Sequence, residues 1–151
     1  MKHFKLVLQE ERTCSYQPVF KKITDSQTAF KSLLPLYKDE LKVREVMYCL
    51  FLSRSNEIIG YDLNSIGAAT STVCNIQRIA QQALQRNAQG VILSHNHPSG
   101  NINPSDHDNK VTKKVKEALS LFDINLVDHI ILAPQEDSTN YYSYADNGLI
   151  W

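Results

Sequence analysis

The stretch VILSHNHPSGNINPSDHD, residues 91–108, decides how the chain is read. It opens on three apolar residues, Val91, Ile92 and Leu93, and reads as a short strand. Successive strand side chains point to opposite sides, so His95 and His97 leave its C-terminal end on one side. Pro98 biases the residue before it toward extended backbone, which carries that alternation through His97. The loop that follows holds Gly100 and two prolines and can turn sharply. It leads into a helix with Ser105 as N-cap. Ser105-x-x-Asp108 has the spacing of a capping box, with Asp in place of Glu or Gln. Asp108 therefore has two readings: a carboxylate favoured by the helix dipole, or a metal ligand. Two same-side imidazoles and one carboxylate, joined by a tight loop, suit a catalytic zinc. Such a site takes three protein ligands and leaves a fourth position for water.

Working outward, Asn75 to Asn87 reads as a helix, with Ile76, Ile79, Ala80, Ala83 and Leu84 on one face and Gly90 at its stop. Ser105 to Phe122 reads as a second helix, with Val111, Val115, Ala118, Leu119 and Phe122 on its stripe. Asn125 to Ala133 is a strand, and the tail from Tyr141 adds a last short one. Upstream, Val43 to Ser53 reads as a strand buried on both faces. Ser55 and Asn56 turn it into Glu57 to Leu63, a hairpin. Asp25 caps a helix through Gln27, Phe30, Leu33 and Leu34, with Pro35 at its far end. Residues 3–9 read as a short strand. Strands and helices alternate around a central hairpin, which predicts an α/β sandwich with a mixed sheet.

The chain has 151 residues, 42% apolar and 21% charged, which excludes disordered, collagen-like and coiled-coil classes. Sixteen basic and sixteen acidic residues give a net charge of zero, against a strongly basic nucleic-acid module. A basic helix face (Lys110, Lys113, Lys114 and Lys116) reads first as a solvated surface. No apolar run reaches the roughly 20 residues of a membrane span, and the charged N-terminus makes a poor signal peptide. The expected location is the cytoplasm. Cys14, Cys49 and Cys74 form no C-x-x-C pair and read as reduced thiols, with Cys49 in the core. A deaminase would want H-x-E and P-C-x-x-C, and neither is present.

A zinc hydrolase also needs a base to move protons. Glu45 is the candidate, because it heads the apolar face of Met47, Cys49 and Phe51. A wet, frayed strand end explains the same residue equally well. His107 sits a helical step of roughly 100° from Asp108, and His129 lies mid-strand beside Asp128. Both read first as something other than ligands.

The combination SHNHPSG, then Pro104-Ser105-x-x-Asp108, resembles the JAMM metal motif as found in RadC-type proteins. Arg44-Glu45-Val46 resembles the family's glutamate strand. AQQALQRNAQGVILSHNHPSG, Leu126 to Leu132 and the YYSYAD ending are also similar to it, so the resemblance covers most of Val43 to Gly148. It implies a JAB/MPN domain, a cytidine-deaminase-like α-β-α sandwich, as a single domain over 1–151. Residues 1–42 would be a strand/helix extension and 43–148 the core. It implies His95, His97 and Asp108 as ligands of one Zn2+ per chain. Glu45 would be the general base, and Ser105 would steady the oxyanion of a peptide or isopeptide substrate. The family's repair label implies a nucleic-acid partner as the alternative. No helix-hairpin-helix signature precedes Val43, which weakens that partner. Substrate identity and oligomeric state are not legible.

Overall fold

The computed structural model describes residues 16–67, 74–136 and 138–150. The expected strand at 3–9 and Cys14 lie outside them. Five strands form one mixed sheet: β1 (Val46–Leu52), β2 (Ile58–Ile66), β3 (Gly90–Asn96), β4 (Asn125–Pro134) and β5 (Thr139–Ser143), in the order β2-β1-β3-β4-β5. Only β3 and β4 run parallel, and α3 (Asp106–Ser120) is the crossover between them. This is the helix-bearing connection that a parallel pair demands.

The alternation of β1 and β3 sorts the core into two faces. Met47, Cys49, Phe51, Val91 and Leu93 pack against Ile79 and Ala83 of α2 (Ile76–Gln85) and against Val111, Val115 and Leu119 of α3. Val46, Leu50, Leu52, Ile92, Ile130 and Leu132 pack on the other side, against Ala29 and Leu33 of α1 (Ser26–Leu33) and against Tyr37. The result is the expected α-β-α sandwich. Asp25, Asn75 and Ser105 are the three N-caps, each accepting from a backbone N–H of the first turn. Pro35 lies at the start of a single 3-10 turn, Leu34–Tyr37, that continues α1. Asn56 takes φ 61° in the turn between β1 and β2.

Several boundaries differ from expectation. Strand β1 begins at Val46 and not Val43, so Glu45 stands just ahead of it. Strand β2 runs on to Ile66 and β5 starts at Thr139. Leu84 is half exposed, because it lies roughly 100° around the helix from the buried Ala83. Phe122 is exposed because α3 ends at Ser120 and the chain reverses at Asp123, φ 56°.

One irregularity matters for the site. Val91 pairs with Leu126, but Ile92 pairs with Asp128, so Val127 is an extra residue in β4. A bulge of one residue exchanges the two sides of everything beyond it. His129 thereby lies beside Leu93 on the α3 face, and Asp128 turns to the opposite one. Among the described residues, no helix is long and apolar enough to cross a membrane.

Candidate metal centre

His95 sits one residue before the end of β3 and is fully buried. His97 follows the strand but keeps its ladder, its N–H donating to the Leu132 carbonyl at 2.8 Å. The alternation therefore holds, and the two Nε2 atoms lie 3.0 Å apart. Gly100, φ 83°, makes the turn that brings the loop back, with its N–H on the His97 carbonyl. A side chain there would strain the backbone and come within 3.0 Å of the Pro134 carbonyl oxygen. The loop ends at Ser105, and α3 presents Asp108. Its Oδ1 is 3.2 Å from His95 Nε2 and its Oδ2 is 3.6 Å from His97 Nε2.

The capping box is present in both directions. Ser105 Oγ accepts from the Asp108 N–H, and Asp108 Oδ2 accepts from the Ser105 N–H. Oδ2 closes the cap while Oδ1 faces His95, so the capping reading of Asp108 leaves an oxygen for the ligand reading. Ser105 Oγ also donates to Asp108 Oδ2 at 2.6 Å. Its single proton is engaged there, so serving an oxyanion would require the hydroxyl to rotate away.

The donor set fits a divalent metal. Four-coordinate zinc with ligands at about 2.05 Å places neighbouring donor atoms about 3.3 Å apart. The His95 Nε2 to His97 Nε2 distance of 3.0 Å and the His95 Nε2 to Asp108 Oδ1 distance of 3.2 Å are close to that value, while the 3.6 Å to His97 is measured from the other carboxylate oxygen, Oδ2. His97 Nδ1 is 2.7 Å from the Asn101 carbonyl, which can only accept, so Nδ1 carries the proton and Nε2 is the free donor atom. His95 Nδ1 is committed to His129 Nε2 at 2.8 Å. Such outer partners are typical of metal-binding imidazoles.

Charge reinforces the arrangement. Burial opposes ionisation of Asp108, but the closeness of His95 and His97 and the hydrogen bond from Ser105 hold its carboxyl well below the usual range. Burial also pulls His97 down, yet Asp108 and the Asn101 carbonyl, with the charge of Glu45, carry it above 6.5 overall. Burial pushes His129 well below 6.5 and keeps it neutral.

Glu45 is half-buried, its charge is felt at His97, and its backbone carbonyl accepts from Gly67 N–H at 2.9 Å. No hydrogen bond engages its carboxylate among the described residues, which leaves it free to handle a proton. His107 is exposed on α3 and stands outside the cluster. Cys49 is buried, and burial pushes the Cys74 thiol up to about 12, so neither is a ready nucleophile.

Two residues near the site escape sequence reading. Asn96, fully buried, points away from His95 and His97. Its Nδ2 donates to the Leu41 and Arg44 carbonyls, and its Oδ1 accepts from Val46 N–H, so it holds the segment that carries Glu45. Thr112 packs under the cluster, between Asp108 and His129. Only its i+4 spacing from Asp108 hinted at a role.

The chain matches the RadC-like JAB domain family over residues 23–149. It is similar to a UPF0758 protein of Flavobacterium johnsoniae, 39% identical over 129 residues that cover 85% of this chain and 54% of the relative. A UPF0758 protein of Porphyromonas gingivalis is 36% identical over 128 residues, covering 85% and 54%. UPF0758 protein YfjY of Escherichia coli is 36% identical over 107 residues, covering 71% and 64%. The chain thus spans about half the length of the first two relatives.

Proposed function

The chain belongs to the RadC-like JAB domain family, and on that premise we propose that it is a zinc-dependent hydrolase of peptide or isopeptide bonds. The observation that carries this reading is the convergence of His95 Nε2, His97 Nε2 and an Asp108 oxygen, with both imidazole Nδ1 atoms already committed elsewhere.

His95, His97 and Asp108 would hold the ion. A bound zinc supplies Lewis acidity, which lowers the pKa of a water toward about 7. Glu45, whose charge is felt at His97, takes a proton from the attacking water and returns it to the leaving amine. Ser105 releases its bond to Asp108 and donates to the developing oxyanion. The buried walls of the cluster exclude bulk water on the β3 and β4 side. The free thiols Cys49 and Cys74 suit a reducing compartment, the cytoplasm.

The test is metal content by elemental mass spectrometry on wild type, His97→Ala and Asp108→Ala, followed by a screen of peptide and isopeptide substrates. We expect near one zinc per chain, lost in both variants, and a cleavage that needs the metal. A protein that stays metal-free after zinc addition refutes the reading.

A nucleic-acid partner is the second reading, favoured by the exposed Lys110, Lys113 and Lys114 on the outer face of α3. Duplex binding with a steep salt dependence would support it.

A further inference from the structure

We propose that His129 is a positioning residue for the metal centre, setting the tautomer of His95 through a closed relay that starts and ends at Asp108. This rests on the metal-site reading above. The geometry leaves one assignment of protons. Thr112 Oγ1 lies 2.6 Å from the Asp108 backbone carbonyl and 2.7 Å from His129 Nδ1. A carbonyl oxygen can only accept, so the Thr112 hydroxyl donates to it. The hydroxyl oxygen then accepts, and His129 Nδ1 carries a proton. The neutral ring has only one, so His129 Nε2 is an acceptor. It lies 2.8 Å from His95 Nδ1, which must therefore be the donor. His95 Nε2 is left with a bare lone pair, aimed at Asp108 Oδ1 and His97 Nε2.

Every member of the relay is buried, so water offers no substitute. Exposure is 0% for His95 and His129, 4% for Thr112 and 7% for Asp108. The ring of His129 has little freedom to flip. Tyr144 stacks on it at 4.9 Å and 12°, and Tyr144 is itself tied by its hydroxyl to Asn109 Oδ1 at 2.9 Å. The main chain of Asp108 therefore dictates the protonation of a ligand 13 positions away, and its side chain meets that ligand at the metal. Outer partners of this kind typically change metal affinity 10- to 100-fold when removed.

The experiment compares wild type, His129→Leu, His129→Gln and Thr112→Val. Zinc affinity is read by titration against a chromophoric chelator. The tautomer of His95 is read in the metal-free proteins by long-range 1H–15N NMR of the imidazole. We expect wild type to show His95 protonated at Nδ1. His129→Leu should lose about tenfold or more in zinc affinity and populate the other tautomer. His129→Gln, which again offers one acceptor and one donor, should recover most of both. Thr112→Val keeps the side-chain shape but removes the hydroxyl, and should fall between the two. It also serves if the Leu variant does not fold. Equal zinc affinity across the folded variants, or His95 protonated at Nε2 in wild type, overturns the relay. Zinc bound by wild type but unaffected by His129→Leu refutes this inference alone. A wild type that binds no zinc refutes the hydrolase reading and the relay's purpose together.

Discussion

Replacing Asn96 by alanine should loosen the segment that carries Glu45 without touching a metal ligand. Asn96 is fully buried, and its side chain makes three good hydrogen bonds to backbone 41–46. Oδ1 accepts from Val46 N–H at 2.8 Å, and Val46 is 1% exposed. In the alanine variant that N–H is left buried without a partner, at a cost of about 1–3 kcal/mol. Nδ2 donates to the Leu41 and Arg44 carbonyls, each at 3.0 Å. Those two lie in a half-exposed loop where water can replace the amide, so each loss is near the lower end of about 0.5–1.5 kcal/mol. The sum is about 2–4 kcal/mol. For a domain of this size, 1 kcal/mol moves Tm by roughly 2–4 °C, so the melting point should drop by about 4–16 °C. Urea unfolding of the metal-free protein, with an unchanged m-value, is the direct assay. The same variant should keep its zinc stoichiometry and lose hydrolysis, because His95 and His97 keep their strand while Glu45 does not keep its place. A destabilisation below about 1 kcal/mol would show that the three bonds hold nothing that water cannot, and the clamp argument would fall.

Three further outcomes follow from the same geometry. Glu45→Gln should retain zinc and abolish peptide or isopeptide cleavage, read by metal content beside single-turnover hydrolysis; undiminished cleavage would remove Glu45 as the base. Ser105→Ala should keep zinc, slow hydrolysis and cost about 1 kcal/mol through the lost N-cap, seen as a lower midpoint in urea. Asp128 offers a pH test. Burial raises its carboxyl above 3.8 despite bonds from Ser143 and the His129 and Ala145 N–H groups. The folded state then binds the proton more tightly, so the stability contributed by Asp128 is full below 3.8 and is lost as pH rises through the higher folded value. Asp128→Asn removes that loss. Its stability relative to wild type should improve from acid to neutral pH, and an identical difference at both ends would contradict the shift.

The features that sequence reading reached are those written in local spacing. The i, i+2 pair His95 and His97 shares a side because a strand alternates, whatever it packs against. Ser105 and Asp108 form a capping box because three residues separate N-cap from N3. Asp25 announces its helix as a capping residue, and the apolar stripe through Val111, Val115 and Leu119 predicts which side of α3 meets the sheet. The family resemblance, carried by those residues, supplied Glu45 and Ser105 with roles that spacing alone leaves open.

What local spacing does not contain is the partner of a side chain that is far away in sequence. Asn96 lies between the two histidines and looks like a spacer, yet it binds a segment 50 to 55 positions earlier. His129 reads as a buried strand residue, and nothing near it signals that Val127 is bulged. That single extra residue turns its ring toward α3, where Thr112 and His95 complete its bonds. Leu84 and Phe122 show the converse: a periodic pattern overruns the helix or the face that tertiary packing covers. The chain alone therefore determined the candidate ligand set and the faces of its elements, through periods of two and 3.6 residues. Only the tertiary structure decided which buried donors meet which acceptors, because those pairings depend on sheet register and a bulge.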